Sequence, residues 1–263
     1  MHANKNITIV SWNVNGLRAL ARKGYFDEMM DLNADIYCLQ ETKTLDHELK
    51  DEIKNPEGYY SYFFSSEERK GHAGTAVYTK EKPENIVYGL PHHPDMDKQG
   101  RTITLHFKNF TIVNCYFPNG GSETSNLKYK LKFYEVFLSY INKLRDDGKN
   151  IIIAGDWNIA HTEIDIARPK ENATHIGFLP EERTWLDRYE KENWIDVWRN
   201  FNPDLRDVYT YWDTKSRARD RNVGWRIDYF FINKSLLNNI KRAEILNDIY
   251  GSDHCPILIN ISI

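Results

Sequence analysis

The sequence predicts an α/β (α+β) fold, a four-layered sandwich in which two packed mixed β-sheets are flanked by helices. Three observations carry this expectation. About ten strand-like segments, more than one sheet usually holds, occur with four or five helical ones. A hydrophobic fraction of 41% with 13% aromatic residues is ample for a core. Several strand-like segments also end in polar residues of similar chemistry. No repeat or low-complexity segment divides the 263 residues, so residues 1–263 are expected to form one domain, with 1–6 a flexible N-terminus.

Residues 7–12 (ITIVSW) read as a strand that ends at Asn13, Asn15 and Gly16, a group that could be turn chemistry alone. Leu17 to about Asn33 has a helical pattern broken at Gly24. Residues 35–40 (DIYCLQ) form the next buried strand, and Glu41 follows as either a solvated loop residue or a ligand. A short helix is expected over 45–54 and strands over 59–64 and 73–78. Residues 101–107 and 110–116 alternate as a hairpin across Lys108 and Asn109.

Leu127, Leu131, Tyr134, Leu138 and Ile141 recur at spacings of three and four, which marks a long amphipathic helix. Thr124 or Ser125 can cap its start and Gly148 can end it. The chain then returns through residues 151–158 (IIIAGDWN), whose β-branched run predicts a strand buried on both faces. Strand alternation would aim Asp156 and Asn158 to one side of its end, where open α/β sheets bind ligands, although Gly155 and Asn158 also suit a simple turn. Residues 161–179 have little periodicity, and a loop of that length in a compact domain is usually functional. A helix over 181–192, an irregular stretch over 212–225 and strands over 228–232, 242–247 and 257–261 complete the chain.

The net charge of −3 excludes an overall basic signature, so any polyanion site must be local. Residues 211–226 supply one, with five basic residues against two acidic ones. Cys38, Cys115 and Cys255 are odd in number, form no CxxC pair and lie in apolar strand contexts, which predicts reduced core thiols. No signal peptide or membrane-length apolar run occurs, so a soluble, cytoplasmic (intracellular) protein without membrane partners is expected.

The P-loop, GxSxG, HExxH and post-strand GxGxxG motifs are absent. What remains is a set of carboxylates, amides, a tyrosine and a histidine at strand ends: Asn13, Asn15, Glu41, Tyr116, Asp156, Asn158, Asp228, Asp253 and His254. Hard oxygen ligands without cysteine suit Mg²⁺ or Mn²⁺. A metal beside a charged histidine, amides and a tyrosine hydroxyl would stabilise charge growing on a phosphoryl group, and an aspartate could handle the attacking water. The residue types therefore suggest metal-assisted phosphodiester hydrolysis.

Six blocks make the pattern specific: SWNVNGLR (11–18), CLQETK (38–43), YFPNG (116–120), GDWNIAH (155–161), NVGWRIDYF (222–230) and GSDHCPI (251–257). In this order and spacing they closely resemble the exonuclease III family of apurinic/apyrimidinic endonucleases, within the deoxyribonuclease-I-like endonuclease/exonuclease/phosphatase superfamily. The resemblance implies a DNA repair endonuclease that hydrolyses the phosphodiester 5′ to abasic sites in duplex DNA, with Mg²⁺ as cofactor and Mn²⁺ able to substitute. It leaves 3′-hydroxyl and 5′-deoxyribose phosphate ends and adds 3′-phosphodiesterase and 3′→5′ exonuclease activity on 3′-blocked ends, as a monomer.

The same resemblance makes Glu41 the main metal ligand, with Asn13, Asn15 and Asp253 close to the ion. It gives Asp156 the water, Asn158 and Tyr116 the scissile phosphate, and His254 paired to Asp228 the developing charge. DNA contacts fall to Asn119, to Asn172 and His175 on one loop, and to Lys215 and Arg217 on another that enters the minor groove. Tyr211, Trp225 and Ile227 form the pocket for an extruded abasic sugar. Three departures stand out. Asn15 replaces an Asp of some members, which would alter metal affinity. Lys215 replaces an apolar wedge, which favours phosphate contact over insertion, and Gly121-Ser122 lack an arginine of the mammalian member. The competing expectations are a same-fold phosphodiesterase acting on RNA or phosphoinositides, and a catalytically inactive DNA-binding homologue.

Overall fold

Residues 5–122 and 125–263 are described in a computed structural model. Strands β1 (Asn6–Asn13), β2 (Ile36–Gln40), β3 (Tyr60–Phe64) and β4 (Thr75–Thr79) precede β5 (Asn85–Tyr88), β6 (Thr102–His106) and β7 (Thr111–Tyr116). After the short pair β8 (Gly121–Ser122) and β9 (Ser125–Asn126) come β10 (Ile151–Asp156), β11 (Trp194–Asp196) and β12 (Asp228–Asn233), then β13 (Ile240–Ile245) and β14 (Ile257–Ser262). The helices are α1 (Leu17–Arg22), α2 (Tyr25–Met30), α3 (Asp51–Lys54), α4 (Leu127–Asp146), α5 (Pro169–Asn172), α6 (Pro180–Lys191) and α7 (Val197–Phe201).

Two mixed six-stranded sheets result, ordered β13-β14-β1-β2-β4-β3 and β11-β12-β10-β7-β6-β5. Alternation along each strand assigns side chains to layers. Ile9, Cys38, Val77, Ile112, Ile152 and Phe230 point between the sheets. Trp12, Leu39 and Tyr78 face the opposite way, towards Leu20 of α1 and Phe26 of α2. Ile151 and Ile153 face Phe133, Phe137 and Leu186 of α4 and α6, so β10 is buried on both faces as its sequence predicts. The four-layered expectation holds.

A polar link crosses the otherwise apolar middle. Gln40 Nε2 donates to Asn114 Oδ1 at 2.8 Å, and Asn114 Nδ2 donates to the carbonyls of Leu39 and Ala76 at 3.0 and 2.9 Å. It joins β2 and β4 of one sheet to β7 of the other and sets how their ends meet.

Several local expectations are corrected. Strands β5 and β11 were not anticipated; they are edge strands of four and three residues, held by their neighbours β6 and β12 rather than by a pattern of their own. The cap of α4 is neither Thr124 nor Ser125 but Asn126, which directly precedes the first helical residue Leu127 and whose side chain accepts from the Tyr129 amide at 2.9 Å. Thr124 lies outside the described residues. Gly148 (φ 79°) does follow the helix end, and Gly24 (φ 84°) does break α1 from α2. Of the expected flexible N-terminus, residues 1–4 lie outside the described residues, whereas Lys5 and Asn6 pair with the last strand.

All three cysteines are free and buried. No helix among the described residues is long and apolar enough to cross a membrane. Gly155 has a steric reason: a Cβ there would lie 1.9 Å from the Cys115 carbonyl oxygen. Gly155→Ala is expected to lower stability by about 3 kcal/mol. A urea midpoint equal to that of the unmodified protein would contradict this packing.

Candidate active site

The polar strand ends meet at one pole of the sandwich. In the second sheet, Asp156 closes β10 in register with Tyr116 at the end of parallel β7 and with Asp228 at the start of antiparallel β12. In the first, Asn13 ends β1 beside Gln40, and Glu41 follows β2 directly. Residues 251–254 reach the same pole just before β14, whose Ile257 pairs with Ser11 of β1. Asn13 joins the halves: its Nδ2 donates to Glu41 Oε1 at 3.0 Å and to Asp156 Oδ2 at 2.8 Å.

His254 is buried between two carboxylates. Its Nδ1 lies 2.8 Å from Asp228 Oδ2 and its Nε2 3.9 Å from Asp156 Oδ2, while Trp12 Nε1 donates to its carbonyl at 3.0 Å. Burial opposes the imidazolium charge, but the carboxylates of Asp228 and Asp156 outweigh it and push His254 up to about 10. Burial holds the Asp156 carboxyl above its ordinary range, partly offset by the charge on His254. Burial likewise keeps the Tyr116 hydroxyl protonated, with its titration raised well above normal.

Asn158 does not extend the strand, as alternation would have it. At φ 54° it turns back, so its amide N–H donates to Asp156 Oδ1 at 2.8 Å and its Nδ2 to Asp156 Oδ2 and the Phe117 carbonyl at 3.2 and 2.9 Å. Asn15, Glu41 and Lys43 share this left-handed backbone, with φ of 45°, 50° and 51°. Four non-glycine residues in a sparsely populated conformation at one rim are strain of the kind that gathers at functional sites.

A cationic seat lies beside Glu41. Lys43 Nζ is 2.6 Å from Glu41 Oε2 and donates to Asn15 Oδ1 at 2.5 Å, and Asn15 Nδ2 donates to Asp253 Oδ1 at 2.9 Å. Burial would raise the Glu41 carboxyl, but the Lys43 ammonium holds it below its ordinary value. Lys43 already supplies a positive charge here, and the oxygens around it are hard donors of the sort Mg²⁺ takes. Asp156, Asp228 and His254 also lie close enough to hold a metal together.

Glu41, Tyr116, Asn119, Asn158, Asp253 and His254 line one cleft of about 480 Å³ with Tyr211, Trp225 and Ile227. The last three pack with Ala160, Ile166 and Phe178 as an apolar wall, and the Tyr211 ring leans on His254 at 4.9 Å between centroids. Asn172, His175, Lys215 and Arg217 do not line the cleft. Asn172 Nδ2 is turned onto the Ala167 and Arg168 carbonyls, His175 and Lys215 are exposed, and Arg217 pairs with Asp220 at 2.9 Å. Asp165, a carboxylate of the irregular 161–179 stretch, is structural: the Arg226 and Arg199 guanidinium groups bind its Oδ1 at 2.7 and 2.5 Å.

Sequence reasoning missed the groups behind the cleft. Arg101 stacks 4.7 Å above the Tyr116 ring and donates to the Tyr116 carbonyl at 3.1 Å, and Lys130 donates to the Asn158 carbonyl at 2.7 Å. Both are buried cations in segments that read as ordinary strand and helix, so only their lack of exposure marks them.

Two layered mixed sheets carrying carboxylates, amides and a charged histidine at their joined ends define a phosphoester hydrolase. The chain belongs to the Endonuclease/Exonuclease/phosphatase family, whose profile matches residues 10–254, and enzymes of this family are metal-dependent. It is 41% identical over 256 residues to an exodeoxyribonuclease of Bacillus subtilis, covering 97% of this chain and 99% of that one. It is 42% identical over 252 residues to the DNA-(apurinic or apyrimidinic site) endonuclease of Dictyostelium discoideum, covering 95% and 69%. The crystal structure of AP endonuclease LMAP from Leishmania major superposes with a TM-score of 0.89 at 26% identity, covering 98% of this chain and 88% of that one.

Proposed function

We propose that this DNA repair nuclease is a Mg²⁺-dependent endonuclease that cuts duplex DNA 5′ to abasic sites, with Mn²⁺ able to replace Mg²⁺. It acts as a monomer, in the cytoplasm, through one catalytic domain, and also trims 3′-blocked ends. The observation that carries the reading is the pairing of a polar, charged centre with an apolar wall in one cleft. A sugar without its base is small and largely apolar on one face, and Tyr211, Trp225 and Ile227 offer it a matching surface within reach of His254. The relatives named for apurinic or apyrimidinic sites support the same substrate.

Glu41, aided by Asn13, Asn15 and Asp253, would hold the metal, which supplies positive charge to polarise the phosphoryl group and offset the charge that builds on it. Asp156 orients the attacking water and takes its proton, since burial keeps this carboxyl basic. Asn158 and the Tyr116 hydroxyl contact the scissile phosphate. His254, held in place by its Nδ1 contact with Asp228, presents the Nε2 proton to the same oxygens. Water adds to phosphorus as the 3′-oxygen leaves, giving 3′-hydroxyl and 5′-deoxyribose phosphate ends. Asn119 steadies the DNA at the cleft, and Asn172, His175, Lys215 and Arg217 contact its backbone from the flanking loops.

The test is a denaturing-gel panel of duplexes with an abasic site, a uracil or a 3′-blocked nick. Incision 5′ to the abasic site in Mg²⁺, abolished by EDTA and restored by Mg²⁺ or Mn²⁺, is the expected outcome. Incision that survives the chelator would remove the metal assignment, and no incision of the abasic duplex would remove the substrate.

A further inference from the structure

Lys130 and Glu182 have fully buried side chains, and no step above uses their chemistry. Lys130 lies near the start of α4 and Glu182 in the first turn of α6, with Nζ and Oε1 2.6 Å apart. Burying two opposite charges is rarely the most stable way to fill such a space, since an apolar pair of the same volume often does as well. What an apolar pair could not do is bind the surrounding backbone. Lys130 Nζ also donates to the Asn158 carbonyl at 2.7 Å and to the Asn119 carbonyl at 3.3 Å. Glu182 Oε2 accepts from the amides of Gly177 and Leu179 at 2.6 and 3.0 Å.

One ion pair therefore ties together three loops: the one after β7, the one after β10, and residues 176–179. Asn119, Asn158, Ile176 and Gly177 from these loops all line the cleft. The fit leaves little slack. A Cβ at Gly120 would come within 2.9 Å of Lys130 Cδ, and one at Gly177 within 3.1 Å of the Trp225 ring and 3.3 Å of the Asn158 carbonyl. Asn158 has the most to lose, because its left-handed backbone places its carbonyl on Lys130 and its side chain on Asp156.

We propose that Lys130 and Glu182 are positioning residues for the hydrolysis, holding the Asn158 amide and the 176–179 wall in register with Asp156. This rests on the nuclease reading of the same cleft. The decisive variant is Lys130→Met combined with Glu182→Leu, which removes both charges together, keeps the volume and strands no buried ion. Single-turnover incision of an abasic duplex in Mg²⁺ is measured per molecule able to bind that duplex in EDTA, alongside duplex affinity and Tm.

The rate constant is expected to fall about 10- to 100-fold, as for a misplaced catalytic contact. Affinity should stay within about threefold, which separates lost orientation from lost binding. Lys130→Arg keeps donors for Glu182 and both carbonyls and should restore most of the rate. A double variant that cuts at the rate of the unmodified protein, or that loses affinity instead of rate, overturns the proposal while the unmodified protein still incises. If the double variant does not fold, Lys130→Arg against Lys130→Gln decides, and equal rates per binding-competent molecule overturn it. Failure of the unmodified protein to incise removes the nuclease reading itself.

Discussion

Asp156→Asn is expected to slow incision of an abasic duplex about 10³-fold, within the range a lost general base costs. The substitution keeps the shape of the side chain and removes its charge. Asp156 accepts from Asn13 Nδ2, from the Asn158 amide and from Asn158 Nδ2, so both of its oxygens face donors. An asparagine must turn its NH₂ towards at least one of them. The loss is therefore twofold: no basic oxygen for the water, and a donor facing a donor where Asn13 or Asn158 is aligned. DNA affinity should hold or tighten, since a buried negative charge leaves the neighbourhood of the phosphate. The measurements are single-turnover incision and duplex affinity in EDTA. A variant keeping more than about a tenth of the rate would take the water-handling role from Asp156.

His254→Ala carries the second large effect, in stability as well as rate. Asp228 Oδ2 loses its 2.8 Å partner and Asp156 loses its nearest positive charge, both in a buried setting. Removing one partner of a buried pair costs about 3–5 kcal/mol. In a chain of this size that lowers Tm by roughly 10 °C. The rate should fall about 10²–10³-fold, because a preorganised donor to the phosphate is gone. Adding Asp228→Leu should recover most of the Tm and none of the rate. The pH dependence has a definite sign. His254 is pushed up to about 10 by Asp228 and Asp156 against its burial, so its stabilising contribution is full below its ordinary value of about 6.5. That contribution disappears as pH rises through about 10, and the Tm gap between the unmodified protein and His254→Ala should narrow there. A gap that stays constant from pH 6 to pH 11 would show that the imidazole is not charged in the folded protein.

Part of the site was legible because strand ends are legible. A β-branched run that stops at a carboxylate, as at Asp156, marks both a buried strand and the side chain at its mouth, whereas the roles of the residues came from the resemblance of six blocks to one family. The polar residues beneath the cleft left no such mark. Gln40 and Asn114 look like ordinary strand positions, yet their bond joins the sheets; Lys130 sits in a helix whose periodicity says only that one face is apolar. The cap of α4 is Asn126, because Thr124, Ser125 and Asn126 all suit a cap and the sequence pattern does not fix the first helical turn to within one residue. The edge strands β5 and β11 were missed because three or four residues cannot establish a period before they end.

By itself, then, the sequence determined the layers, the buried central strands and the kinds of group at their ends. These follow from hydrophobic alternation and turn chemistry, which act between residues near one another in the chain. Only the tertiary structure decided that Asn13 bridges Glu41 to Asp156 across two sheets, that Lys43 reaches Asn15, and that Lys130 and Glu182 lie under three loops. Those contacts join segments up to 143 positions apart. Their distances depend on how two twisted sheets pack, and no local pattern encodes that.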